Sequence, residues 1–426
     1  MKKILGIILI AVGCLSLAIP AFAANGENVI DSRVNQNILQ IEDSKAISPE
    51  EKVKMAKEVI AEFYGEVDQA NVQLIGDMVE ANEFGGLYLD DDGKLVVNIV
   101  GAELPTIQEY SKSAKSNDIE FKQVNYSLSE LTEIFETLVP FMADYSILLL
   151  DANDITNKVD ICLSDFSDEN IKAISSYLTK LYPTKNLTDI LNFIDNTGIM
   201  ACCEAPKVDE AILSNDQIVP KTNQIETQNT SLFNPTYIVP GVGILIEGYQ
   251  YTLGPQHPDY SSYFYTAGHG VEVGDSVTYL YNGLFQSLGS VVAQKFSGNS
   301  DSSCIGVPST VEQHSALSYF MVNPIAGTSV KMVGATSGAT SGTVSRVDAT
   351  VTYDDMGVTL TNMAQANYSC AGGDSGGPIY NNYPTGGTVA DITTCYGVQS
   401  GGLFYEVNEE KVWAGTSFFT MTKNLV

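Results

Sequence analysis

The chain has two rhythms of apolar and polar residues. Helical spacing mixed with short strands runs to about residue 203, and brief alternating runs follow to the end. Ser48-Pro49-Glu50-Glu51 is a capping box with Pro at the first helical position. Val53, Ala56, Val59, Ile60 and Phe63 then fall on one face of a helix. Phe84 to Leu89 and Leu95 to Val100, joined by Asp90-Asp91-Asp92-Gly93, predict a β-hairpin. A second capping box, Ser127 to Glu130, opens a helix with Leu128, Leu131, Ile134, Phe135 and Leu138 on one side. Tyr145 to Leu150, a polar turn and Val159 to Leu163 predict a second hairpin, and a further helix runs from about Asp168 to Leu181. This order predicts an antiparallel sheet with helices on one face, an α+β unit. From about Ile238 the chain is rich in Gly, Ser, Thr and Tyr, the composition of an all-β domain.

Lys2-Lys3, the apolar run from Ile4 to about Ile19 and Ala21-Phe22-Ala23 predict a signal peptide over 1–23. Val12-Gly13-Cys14 half resembles a lipobox, but Ala11 replaces the usual Leu and the apolar run passes the Cys. Full secretion to the extracellular space is therefore expected. No later run approaches the roughly 18 apolar residues of a membrane span. The expected division is an α+β domain over 24–203, a polar linker over 204–234 and an all-β domain over 235–426. Acidic residues outnumber basic ones 51 to 22, a net charge of −29, with most of the excess before the linker. Such a surface repels nucleic acid and anionic membranes, which removes both as expected partners.

Gly373-Asp374-Ser375-Gly376-Gly377-Pro378 carries the candidate chemistry, together with Thr266-Ala267-Gly268-His269 and Asp301-Ser302-Ser303-Cys304-Ile305. A serine hydroxyl is a weak nucleophile until an imidazole takes its proton and a buried carboxylate orients that imidazole. Glycines around Ser375 allow a sharp turn whose Gly373 and Ser375 amides converge on one spot, an oxyanion site. The order His269, Asp301, Ser375 is that of chymotrypsin-type enzymes, not of subtilisins or α/β-hydrolases. His269 ends a predicted strand and is one of only three histidines, so chance placement in the motif is disfavoured. An acid capping a polar loop is the plainer reading of Asp301. Ser303 and Ile305 behind it suit a strand entering a core, which favours the catalytic one.

The C-terminal part resembles the secreted bacterial chymotrypsin-fold serine peptidases of the streptogrisin and α-lytic protease group. Beyond the three site motifs, the resemblance rests on Gly334-Ala335-Thr336-Ser337-Gly338 with Ser341-Gly342-Thr343-Val344, and on Ala349-Thr350-Val351-Thr352-Tyr353. Gln365-Ala366-Asn367 with Cys370, Gly397-Val398-Gln399-Ser400-Gly401-Gly402 and Gly415-Thr416-Ser417-Phe418-Phe419 extend it from about Ile238 to Val426. It implies two antiparallel six-stranded β-barrels, chymotrypsin-like, and a trypsin-like serine endopeptidase acting on polypeptide substrates. Phe84 to Asp90, Gly93 to Val97 and Asp151 with Asn157-Lys158-Val159 are similar to the propeptides of the same group. They imply an α+β prodomain, a zymogen and a propeptide that assists folding or inhibits.

Further roles follow from the resemblance. Ser400, Gly401 and Gly402 would present a strand edge to substrate, with Ser400 also bonded to Asp301. Cys370 and Cys395 would form a disulfide. Asp374 would need a cationic partner, for which Arg346 is the candidate. The chain departs from the group at Gly270, where a bridged Cys usually follows the His, and in a loop from Cys370 to Ser375 one residue shorter. No acid stands near Ser369, and Gln399 stands where glutamate-specific relatives carry His, so a neutral pocket for aromatic or large aliphatic residues is expected. Cys304 reads as a small apolar core residue. The vicinal Cys202-Cys203 pair is open to a redox switch or a metal ligand, with free or cross-bridged thiols the plainer reading. The sequence calls for no metal or cofactor, and a monomer is expected. Two rivals stay open: a catalytically idle peptidase-fold binding protein or adhesin, and an esterase.

Overall fold

The computed structural model describes residues 47–64, 75, 77, 82–101, 119–208, 238–281, 284–309, 311, 319–383, 392–408 and 410–426. The expected signal peptide and most of the linker lie outside them.

The N-terminal part begins with α1 (Pro49–Tyr64), whose Ser48 hydroxyl accepts the Glu51 N–H at 3.2 Å, as the capping box requires. Strands β1 (Phe84–Leu89) and β2 (Leu95–Val100) form the first hairpin, with Asp90 Oδ1 accepting the Asp92 and Lys94 amides in the turn. Helix α2 (Leu128–Leu138) has its reciprocal Ser127–Glu130 box and buries all five expected apolar residues. Each such side chain contributes about 1.5–3 kcal/mol on burial, so this face fixes the helix against β4 (Ile147–Asn153) and β5 (Lys158–Leu163). Helix α3 (Asp168–Leu181) follows.

One expectation is corrected here. The sheets are mixed, not antiparallel: β3 (Ile119–Val124) runs parallel to β2, and β6 (Leu191–Asp195) runs parallel to β5. Both strands are short and lack a strict alternation of buried and exposed positions, so the apolar pattern did not announce them.

From Gly243 onward the described chain is strands joined by turns and loops, with one short 3-10 helix (Thr422–Asn424) among the described residues, the mostly-β character expected of a chymotrypsin-like fold. Six of these strands are β8 (Gly243–Ile246), β9 (Tyr249–Thr252), β10 (Tyr263–Thr266), β11 (Ser276–Tyr281), β12 (Leu284–Ser297) and β13 (Ser300–Gly306). They pair in the order β10–β13–β12–β11–β8–β9. Beyond β9, Gly254 N–H donates to Tyr265 O at 2.8 Å and Tyr265 N–H to Pro255 O at 2.9 Å, bringing the chain back onto β10. A core of Ile244, Ile246, Leu253, Phe264, Val277, Leu288 and Ile305 fills the inside.

A second circuit runs through β15 (Ser329–Gly334), β18 (Pro378–Tyr383), β19 (Ile392–Val407), β20 (Glu410–Met421), β17 (Val358–Ala366) and β16 (Gly338–Tyr353). It returns to its start through the β15–β16 pairing. The short strand β14 (Tyr319–Met321) lies parallel to β19. The N-terminal part joins this sheet twice. Strand β4 pairs with β16, Leu149 opposite Val351, and β7 (Ile199–Cys202) pairs with β19. Among the described residues, no helix is long and apolar enough to cross a membrane.

Candidate active site

His269 lies just beyond β10 and Asp301 at the start of β13, both in the first circuit, while Ser375 precedes β18 and Ser400 lies in β19 of the second. The site therefore forms where the two circuits meet. Gly268 must be glycine, because a Cβ there would lie 2.4 Å from Lys295 O and 2.6 Å from Ser302 O. That tight passage delivers His269 to a position only 1% exposed.

His269 Nδ1 lies 2.7 Å from Asp301 Oδ2. A carboxylate only accepts, so Nδ1 carries the proton and Nε2 keeps its lone pair. Asp301 Oδ1 accepts the Gly268 and His269 amides at 2.7 and 2.8 Å, and Ser400 Oγ donates to Oδ2 at 2.5 Å. Because the Ser400 proton is committed to Asp301, the Tyr353 hydroxyl, 2.9 Å away, donates to Ser400 Oγ. Thr420 Oγ1 accepts the Asp301 N–H at 2.9 Å. Burial alone would push the Asp301 carboxyl up. The imidazole, the Ser400 hydroxyl and the Gly268 amide outweigh it and hold Asp301 below the usual carboxylate range. Tyr251 OH donates to His269 O at 2.8 Å, and the Phe296 ring stands edge-on to the imidazole at 5.8 Å.

Ser375 sits in a turn that needs its glycines. Gly373 and Gly376 have φ of +94° and +90°, and a Cβ on Gly376 would lie 2.0 Å from Thr266 Oγ1. Ser375 Oγ faces Ser400 O at 3.4 Å, the long limit of a hydrogen bond. His269 Nε2 is buried and, among the described residues, has no hydrogen-bond partner. Both side chains reach Ser400, His269 by way of Asp301 and Ser375 by way of the Ser400 carbonyl, and no hydrogen bond joins the imidazole to the Ser375 hydroxyl.

Two expectations about neighbouring residues are corrected. Asp374 is not paired with Arg346. Its Oδ1 accepts the Thr336 and Ser337 amides at 2.9 Å each, and its Oδ2 accepts the Ala371 amide at 2.8 Å. Burial still pushes its pKa up against these bonds. Arg346 turns instead to the N-terminal part. Its Nη2 donates to Asp160 Oδ2 at 2.5 Å, and its Nε lies 2.8 Å from Asp151 Oδ2, a charge contact out of line for a hydrogen bond. Cys370 and Cys395 are not bridged; both thiols are free and buried. Cys370 Sγ lies 3.8 Å from Gly401 O, while Cys395 is six positions earlier in β19, beside Met321 and Tyr380. Six residues of strand span roughly 20 Å, well beyond the reach of a disulfide.

The expected substrate edge is already occupied. Cys202 stands opposite Gly402 and Ala201 opposite Leu403 in an antiparallel ladder. The Cys203 and Glu204 amides donate to Asp355. A Cβ on Gly372 would lie 3.3 Å from the Pro206 ring and 3.9 Å from Glu204 O. Beyond the turn, Gln250 N–H donates to Pro206 O and Val208 N–H to Gly248 O, both at 2.9 Å. Residues 199–208 thus run from β19, past Gly372, to β9. Sequence reasoning missed this path, along with Tyr251, Tyr353, Asp354 and Asp355. The apolar run Ile199 to Cys203 was its only signal.

No protein-family model matches the chain, and no curated protein sequence does. Solved structures similar to it include Thermobifida fusca Protease A, 25% identical over 43% of this chain and 91% of that chain, with a TM-score of 0.33. The chymotrypsin of Cellulomonas bogoriensis is 22% identical over 43% and 91%, with a TM-score of 0.32. Alpha-lytic protease homolog N4 is 18% identical over 44% and 93%, with a TM-score of 0.33. The solved structures that this chain resembles are bacterial chymotrypsin-fold serine proteases.

Proposed function

We propose that the chain is a secreted serine endopeptidase made as a zymogen. The two strand circuits are read as two chymotrypsin-type barrels, residues 24–203 as a prodomain and 204–234 as the processing region. One observation carries the reading: an ionised Asp301 orients His269, Ser400 touches both Asp301 and Ser375, and the chain's own residues 199–202 are paired with the strand that carries Ser400. In the reaction, Ser375 Oγ turns from Ser400 O to His269 Nε2 and gives up its proton as it attacks the scissile carbonyl. Asp301 stabilises the imidazolium. The Gly373 and Ser375 amides take the oxyanion, His269 returns the proton to the leaving amine, and water then cleaves the acyl-enzyme by the same route. Ser400, Gly401 and Gly402 hold the substrate main chain. In the resting chain residues 199–204 hold that edge, so the prodomain also inhibits.

The test is peptide hydrolysis by the secreted protein beside its Ser375→Ala variant. Hydrolysis lost in the variant is expected; equal turnover by both would remove Ser375 from the reaction. A second reading, a peptidase-fold binding protein, is favoured by the lack of a His269 Nε2 bond to Ser375. It predicts that a wild type freed of residues 1–204 still hydrolyses nothing.

A further inference from the structure

The turn between β16 and β17 carries two neighbouring acids, and both grip residues 201–204. Asp354 N–H donates to Ala201 O at 2.9 Å, and Asp354 Oδ2 accepts the Ala201 N–H at 3.0 Å. Asp355 Oδ2 accepts the Cys203 and Glu204 amides, each at 3.0 Å. In an extended strand alternate residues present their amides to the same edge. Ala201 and Cys203 therefore use the edge turned away from β19, while Cys202 faces Gly402 on the other. The bound segment is held along both edges, by a strand on one side and by two carboxylates on the other. Lys411 Nζ, 3.4 Å from Asp355 Oδ2, balances one of these charges.

We propose that Asp354 and Asp355 are main-chain anchors for substrate, holding the residues on the N-terminal side of the cut as they now hold Ala201, Cys203 and Glu204. The proposal rests on the peptidase reading above. Every contact that the two carboxylates make with the segment is to backbone, so the grip is blind to side chains; an extended polypeptide can repeat the Ala201 and Cys203 bonds, and the Glu204 bond needs the chain to turn there. A carboxylate accepting an amide forms a charge-assisted bond, stronger than a neutral one. The anchors lie upstream of the cut. They act on extended peptides and leave a substrate that fills only the site beside Ser375 untouched.

The test uses protein secreted from the full-length gene and two chromogenic substrates: an N-blocked tetrapeptide anilide, and an ester of a single N-blocked amino acid. A hydrogen bond to a charged group is worth about 1.5–3 kcal/mol. Asp355→Ala should therefore lower kcat/KM for the tetrapeptide by about 10- to 100-fold, chiefly through KM, with the ester within about twofold of wild type. Asp355→Asn, which keeps an acceptor, should fall between. Asp354→Ala should behave like Asp355→Ala with a smaller loss. Equal losses on both substrates would mean damage to the fold, and no loss on either would mean that the turn serves only residues 201–204; each overturns the proposal. If wild type hydrolyses neither substrate, the peptidase reading fails on its own. The grip is then measured by hydrogen exchange at the Ala201 and Cys203 amides. Protection unchanged in Asp354→Ala and Asp355→Ala overturns the grip as well.

Discussion

Cys202 faces Gly402 across an antiparallel ladder, so the chain's own segment lies along the strand expected to bind substrate. Two residues further on, the Glu204 carbonyl is beside Gly372, at the mouth of the Ser375 turn. On the peptidase reading the bond that follows this carbonyl, Glu204–Ala205, is the one cut in processing, although its acidic residue is not one that the expected neutral pocket favours. We expect N-terminal sequencing of the processed product to begin at Ala205. A product beginning between residues 209 and 237, with none at Ala205, would mean that cleavage does not follow this path.

The Asp301 carboxylate has four partners: two amides, the imidazole and the Ser400 hydroxyl. An amide in its place offers a donor to Nδ1 and favours the wrong tautomer, with the Nε2 lone pair lost. Asp301→Asn should lower kcat by about 10^4 while secretion is retained. Turnover within tenfold of wild type would remove Asp301 from the proposed mechanism.

Arg346 is bound to Asp151 and Asp160 across the seam between the N-terminal part and β16. Removing one partner of a buried pair leaves charge uncompensated, at about 3–5 kcal/mol. Arg346→Ala should impair maturation by loosening the prodomain, with denaturant unfolding of full-length Ser375→Ala protein as the measure. A normally stable, fully processed variant would contradict this. The same variant should leave the Asp374 loop intact, since three backbone amides hold that carboxylate.

The same seam predicts a pH effect. Lys52 Nζ lies 2.7 Å from both Asp154 Oδ2 and Asp348 Oδ2. Burial raises Asp154 to about 6, with Lys52 pulling it down and Asp348 pushing it up. Asp151, buried beside Arg346, Asp348 and Asp160, is raised as well. A carboxyl whose pKa is raised in the folded state binds its proton more tightly there. Its contribution is full below the unfolded value of 3.8 and is lost as pH rises through about 6. Between pH 5 and pH 7 the Tm of full-length Ser375→Ala protein should therefore fall relative to the same protein carrying Asp154→Asn. Parallel curves would remove Asp154 as the titrating group.

The parts of this molecule that were legible in its sequence are those where local chemistry dictates structure. The Ser127–Glu130 box, the apolar face of α2 and the glycines about Ser375 are each fixed by residues a few positions apart. The Ser400–Asp301 bond came from the resemblance and is formed. Long-range choices were not legible. Arg346 had several acids within reach of the fold, and only the pairing of β4 with β16 decides for Asp151 and Asp160. Asp354-Asp355 reads as an ordinary turn until residues 201–204 are laid against it. Cys370 and Cys395 look like a pair in a line of text, but Cys370 lies beside Gly401, six positions along β19 from Cys395.

The central claim is that Ser375 is an activated nucleophile masked by residues 199–208. Fluorophosphonate labelling of the secreted protein beside Ser375→Ala, read by intact mass, tests it most directly. The account predicts a labelled species of about 24 kDa that begins after Glu204, no label in the variant, and no label on unprocessed chains. Label on full-length chains as fast as on processed ones would contradict the masking. A processed product that takes no label would contradict the nucleophile.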